Sequence, residues 1–317
     1  MKIKVGKNFN LYTQYSLYLE RLVMKLLSQD KRKQVLQTIN NDKKDLTIEY
    51  LTILMKSKLN RIESKPKQII YSQEIIEKLK KHKYKNNIQL IEKYIEEGND
   101  KINDIKFFSK FSFQLINSTE DINKRIFIDR LLFLYNIKHL HVENMKGKDD
   151  ALLFLIENKD TVYFIDIGVH KDIYDEIKLL EIIDNNWGFL LNDKLKGVSG
   201  ESLQSNELKV LRNNNLNCCL NVNNKVITGN VFFTASGVPA EIVKFRDYFK
   251  TYLDNVTNVI LNDNNFLYEC KEKLKIDINV SDLLFDINNN TFKKHLIFNL
   301  RSSNKIIRIE LRLDSIY

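Results

Sequence analysis

Near Asn136 the spacing of apolar residues changes. Before it they recur at helical intervals, as in Leu11, Tyr15, Tyr18, Leu19, Leu22, Val23, Leu26 and Leu27. Beyond it come short β-branched or aromatic runs, "IKHLHV", "ALLFLI" and "TVYFIDIGV", separated by polar turns around Lys146–Asp150 and Asn158–Asp160. A chain that changes period in this way is expected to be α+β. With two prolines and nine glycines in 317 residues, long helices and strands should outweigh loops.

Three segments follow. Residues 1–117 read as mainly helical: a helix from Leu11 to about Ile39, another over "LTIEYLTILMKSKLNRI", a break at Pro66, then a helix capped by Ser72 and stopped at Gly98. Residues 118–190 read as a small central antiparallel α/β unit. It opens on a helix with a Ser118 and Asp121 capping box, continues through three strands of which the last two form a hairpin, and closes on a helix ending near Trp187. Residues 191–317 read as a strand-rich region. It begins with a polar connection over 191–215, and strands follow at "LNCCLNV" and "KVITGNVFFTA". After a helix entered through Pro239 come "NVILN", "FLYEC", "KLKIDIN", "DLLFDI", "KHLIFNL" and "KIIRIELRL".

Several classes are excluded or disfavoured. With 43% hydrophobic residues the chain is too apolar for disorder. No apolar run approaches the ~18–20 residues of a membrane span, and the first residues lack the apolar core of a signal peptide. Cys218, Cys219 and Cys270 have neither the spacing of a zinc site nor an even count, so reduced thiols in a cytoplasmic protein are expected. No Walker or dinucleotide fingerprint occurs, and no cofactor is expected. The net charge of +9 favours a polyanion. RNA is the first candidate partner and DNA the second. An inhibitor or other protein is a further candidate, and no membrane partner is expected.

The chemistry concentrates in one stretch. Of five histidines, three lie between Asn136 and His170. Residues two apart on a strand share a face, so His139 pairs with His141, and Asp166 with Gly168 and His170. If those faces align, His139, His141, His170 and Asp166 converge, with room left by Gly168. Imidazoles suit metal-free RNA cleavage, one taking the 2′-hydroxyl proton and another protonating the leaving oxygen. Lys138 and Arg130 are the first candidates to stabilise the phosphorane charge, with Arg125 and Lys171 nearby. The same groups are acceptable ligands for a divalent metal, a less favoured reading, and a purely structural role for the histidines is the bland alternative.

The strand ending at "KHLH" and the hairpin "ALLFLIENKDTVYFIDIGVHKD" resemble the core of RelE/ParE-like bacterial toxins, over residues 119–187. They are also similar to bacterial proteins with a "KHLH … LLF … YFIDIGVH" pattern, some loosely linked with phage defence. The resemblance implies a metal-independent ribonuclease fold with added domains. The leading expectation is thus an RNA-cleaving toxin or defence effector. The alternatives are a non-catalytic module that binds nucleic acid or protein, and a metal-dependent hydrolase.

Overall fold

A computed structural model of the chain describes residues 2–4, 10–26, 47–80, 83, 85–103, 129–142, 151–169, 176–191, 194–195, 198, 203–262, 268, 272, 284–288, 295–302 and 305–312. For the strands at 2–4 and beyond 283 the description is of the backbone. The elements in chain order are β1 (Lys2–Lys4), α1 (Leu11–Leu26), α2 (Thr47–Asn60), β2 (Gln68–Tyr71), α3 (Gln73–Leu79) and α4 (Lys85–Glu96). Next come α5 (Arg130–Tyr135), β3 (Ile137–His141), β4 (Ala151–Asn158), β5 (Thr161–Val169), α6 (Glu176–Trp187), β6 (Lys194–Leu195) and α7 (Ser205–Asn213). The last are β7 (Leu220–Val222), β8 (Lys225–Ile227), α8 (Ala240–Asn262), β9 (Leu284–Asn288), β10 (His295–Ser302) and β11 (Lys305–Arg312). The protein is α+β. Among the described residues no helix is long and apolar enough to cross a membrane.

The chain divides into two units. One combines Met1–Leu51 with Ile242–Tyr317, and the other is Thr52–Glu241. The units therefore do not follow the three consecutive segments expected from the sequence. In the first, the antiparallel strands run in the order β1-β9-β10-β11. Tyr15 of α1 meets Phe249 of α8 edge to face at 4.6 Å. Asn10 caps α1 by accepting from Thr13 N at 2.8 Å, and Leu11 N donates to Thr257 Oγ1 at 3.1 Å.

The second unit is built on a sheet of order β2-β5-β4-β3. The strands β3, β4 and β5 form the expected antiparallel run, with β4 and β5 joined as the expected hairpin. The short strand Gln68–Tyr71 joins it in parallel, which makes the sheet mixed. Leu140, Leu153, Leu155, Val162 and Phe164 on one face pack with Ile75 of α3 and with Ile88, Ile91 and Ile95 of α4. Those α4 positions repeat at helical spacing, so one stripe of the helix is buried against the sheet. On the other face Tyr163 lies 5.0 Å from Trp187 of α6.

Local chemistry explains many boundaries. Ser72 caps α3 by accepting from Ile75 N at 3.0 Å, and it donates its hydroxyl proton to Ile165 O of β5 at 2.6 Å. Gly98 ends α4 with φ +65°, and a Cβ there would lie 2.6 Å from the backbone of Lys65 and Pro66. Asn136, Asn215, Asn223 and Asn224 also adopt positive φ, and the last two form the two-residue turn between β7 and β8. Asparagine tolerates that backbone region better than most residues, so the asparagine-rich composition is partly turn chemistry.

Five expectations need correction. The one helix expected between Ser72 and Gly98 is two, α3 ending at Leu79 with Lys80 as its C-cap and α4 starting at Lys85. Gln68–Tyr71 is a strand inside the segment read as helical, because it completes the edge of the sheet by pairing with Thr161–Phe164, some 90 residues later. "NVILN" is the end of α8, not a strand. Its β-branched residues are outweighed by burial of Leu253 and Thr257 on one helical face, with Thr257 Oγ1 donating to Leu253 O at 2.7 Å. The connection over 191–215 contains α7, whose start is closed by Gln204 N donating to Glu207 Oε2 at 2.8 Å and whose Leu208 and Arg212 are buried. The strand expected through "GNVFFTA" stops at Ile227. Asn217 takes over from a ladder there, accepting from Phe233 N and donating to Phe233 O, both at 2.7 Å. The Ser118 helix start, the Lys146–Asp150 turn, "KLKIDIN", most of "FLYEC" and the helix beyond Leu26 lie outside the described residues.

Candidate functional site

The strand β3 owes its position to the turn before it. Asp129 caps α5 by accepting from Leu132 N at 3.1 Å, and every side chain from Leu131 to Tyr135 is buried. Asn136 then adopts the left-handed conformation and donates its N–H to Leu131 O and Leu132 O, which turns the chain into β3. Alternation puts His139 and His141 on one face, their ring centroids 6.1 Å apart. Lys138 and Leu140 lie on the opposite face.

On the histidine face, the second oxygen of Asp129 is 3.3 Å from Nδ1 of His139. One carboxylate thus starts the helix and meets the imidazole. About 10% of the His139 side chain is exposed, and His141 is 6% exposed. Burial pushes the pKa of His139 below the usual imidazole value of 6.5; Asp129 opposes this and the ammonium of Lys56, itself buried, adds to it. His139 is therefore held neutral in a packed interior beside Phe154.

Register separates the other members of the expected cluster. His139 pairs with Phe154, which pairs with Asp166; His141 pairs with Leu152, which pairs with Gly168. Asp166 shares the histidine face but stands two strands away, roughly 10 Å at the usual strand spacing. Phe154 intervenes. The Asp166 carboxylate binds Lys78 of α3 at 2.6 and 2.7 Å, has Lys178 of α6 at 3.7 Å, and accepts from Ile167 N at 2.8 Å. Arg130 is engaged elsewhere: it donates to Arg212 O at 2.6 Å and Asn215 Oδ1 at 3.0 Å, and lies 4.7 Å from the centre of the Phe233 ring. His170, Lys171 and Arg125 lie outside the described residues. Among the described residues, no three histidine, cysteine or acidic side chains are grouped as a metal ion requires.

The opposite face of β3 is ionic. Lys138 Nζ donates to Glu157 Oε2 and to Arg61 O. The other oxygen of Glu157 is 3.2 Å from Nζ of Lys67, which is held in turn by Glu63 and by Lys159 O. The Lys67 and Lys138 side chains are 1% and 5% exposed. Burial lowers the pKa of Lys138, against the pull of Glu157. Burial alone would raise that of Glu157, but the hydrogen bond and charge of Lys138, with help from Glu63 N and Lys67, bring it below the ordinary carboxylate value. Above this triad a cleft of about 480 Å³ opens, lined by Lys58, Arg61, Ser64 and Lys159 around Lys67, Glu63 and Glu157.

Sequence patterns reached His139 and His141 as one pair. They missed Lys56, which carries no signal beyond a helix position. They also missed Asp129, whose place just before a helix was a readable capping signal. Glu157 and Lys67 were missed because ion pairing across distant segments leaves no periodicity. No family model, curated protein or solved structure matches the chain.

Proposed function

We propose that this chain is a non-catalytic nucleic-acid-binding module in which His139 and His141 serve packing. One observation carries this reading: on β3 the imidazoles face a packed interior, while Lys58, Arg61, Lys67 and Lys159, from other segments, line an open cleft. General acid–base chemistry on RNA needs imidazoles within hydrogen-bond reach of the ribose and the leaving oxygen. Side chains exposed by a tenth or less are poorly placed for that. The net charge of +9 suits a polyanion through counterion release.

The test is incubation of the purified chain with labelled RNA and DNA over a salt series, with and without EDTA. Binding that weakens steadily with salt, and no cleavage, is the expected result. His139→Ala and His141→Ala should lower stability and leave affinity unchanged. RNA cleavage that survives EDTA and disappears in either folded alanine variant would overturn this reading in favour of the RNA-cleaving effector. Cleavage lost on chelation would point to the metal-dependent hydrolase. Absence of binding at low salt would rule out a nucleic-acid partner.

A further inference from the structure

The geometry points to the cleft beside Lys67 as a seat for backbone phosphates of nucleic acid, a proposal that rests on the nucleic-acid reading above. Its floor is already neutralised. Glu157 is shared by Lys67 and Lys138, and Glu63 is met by Lys65 at 3.0 Å and by Lys67 at 3.3 Å. The lining sets Lys58, Arg61, Lys67 and Lys159 against Glu63 and Glu157, so the cleft has a surplus of positive charge. Arg61 pairs with Asp100 at 3.1 Å, but both side chains are more than half exposed, at 58% and 64%. A pair so open to solvent holds weakly, and a phosphate can take the guanidinium in bidentate fashion. The Ser64 hydroxyl, which donates to Asp100 Oδ1 at 2.6 Å, is a second, neutral donor at the rim.

Two features of the fold place these cations together. Gly98 allows the end of α4 to lie against Lys65 and Pro66, which sets the path of the segment carrying Arg61 to Lys67. Lys159 sits at the β4–β5 turn with φ +50°, and its carbonyl accepts from Lys67, so the turn is tied to the cleft floor. Among the described residues the lining contains no aromatic side chain. With no ring there for a base to stack on, recognition should fall on the phosphodiester charge without regard to sequence.

The experiment measures fluorescence anisotropy of a short labelled oligouridylate and of a mixed-sequence RNA of equal length, across a salt series. The proteins are the full chain, Arg61→Glu/Lys159→Glu, the milder Arg61→Gln/Lys159→Asn, and Lys209→Glu as a charge reversal on α7. Melting curves check that each is folded. The cleft reversal should weaken binding about tenfold or more and lower the salt slope by about 1 to 1.5, since each phosphate that is no longer neutralised lowers it by roughly one unit or slightly less. The milder pair should lie between it and the parent, Lys209→Glu should weaken binding far less, and the two RNAs should bind alike. If the cleft variants are weakened no more than Lys209→Glu, the cleft is not the seat while nucleic-acid binding stands. If the unmodified chain does not bind, both readings fall.

Discussion

The two faces of β3 solve one problem in opposite ways. Each carries ionisable side chains into a buried sheet. On the lysine face the charges are paired: Lys138 and Lys67 share the carboxylate of Glu157. On the histidine face the charge is shed: His139 has a carboxylate 3.3 Å away, yet burial and the nearby Lys56 favour the neutral ring. The difference follows from intrinsic pKa. Neutralising a lysine at neutral pH requires a shift of several units, whereas an imidazole needs almost none. Pairing is the easier outcome for one and deprotonation for the other.

The largest expected effect breaks the lysine face. Glu157→Gln leaves the buried Lys138 without a carboxylate, Lys67 keeping that of Glu63, and should cost about 3–5 kcal/mol in urea unfolding. Lys138→Met leaves Glu157 with Lys67 and should cost about 1 kcal/mol or less. Equal losses in the two variants would show that the triad does not govern this face.

On the histidine face, His139→Ala removes a packed ring beside Phe154 and should cost about 2 kcal/mol, in the range of large-to-small core changes. RNA affinity should not move with it. A variant that keeps stability and loses affinity would show that the ring meets the ligand.

Acidification should separate the faces further. The folded-state pKa of His139 lies below 6.5, so the unfolded chain takes the proton first as pH falls. The stability from this group is present above about 6.5 and is lost as pH drops through that value towards the folded pKa. The parent's denaturation midpoint should therefore fall more steeply than that of His139→Leu between about pH 7.5 and 5.5. Parallel curves would mean that the ring is not held neutral.

The smallest effect concerns the cleft rim. Lys159 occupies a positive-φ position that asparagine accepts more readily. Lys159→Asn should raise stability by up to about 1 kcal/mol while weakening RNA binding. A thermal melt beside the anisotropy series checks both signs.

What could be read from the sequence was local. Ser72 and Gly98 bound their helices through side-chain and backbone chemistry confined to a few residues, and the β4–β5 hairpin followed from two alternating runs around a short turn. The shared face of His139 and His141 needed nothing beyond strand alternation. Tertiary structure decided the rest, because sheet order and cross-chain pairing leave no trace in periodicity. It placed β4 between β3 and β5, so Phe154 stands where the histidines would have met Asp166. It recruited Gln68–Tyr71 as a parallel edge and kept the β-branched end of α8 helical through burial of one face. It also brought Lys67, Lys138 and Glu157 together from three separate segments, since a buried charge is stable only where the fold supplies its counter-charge.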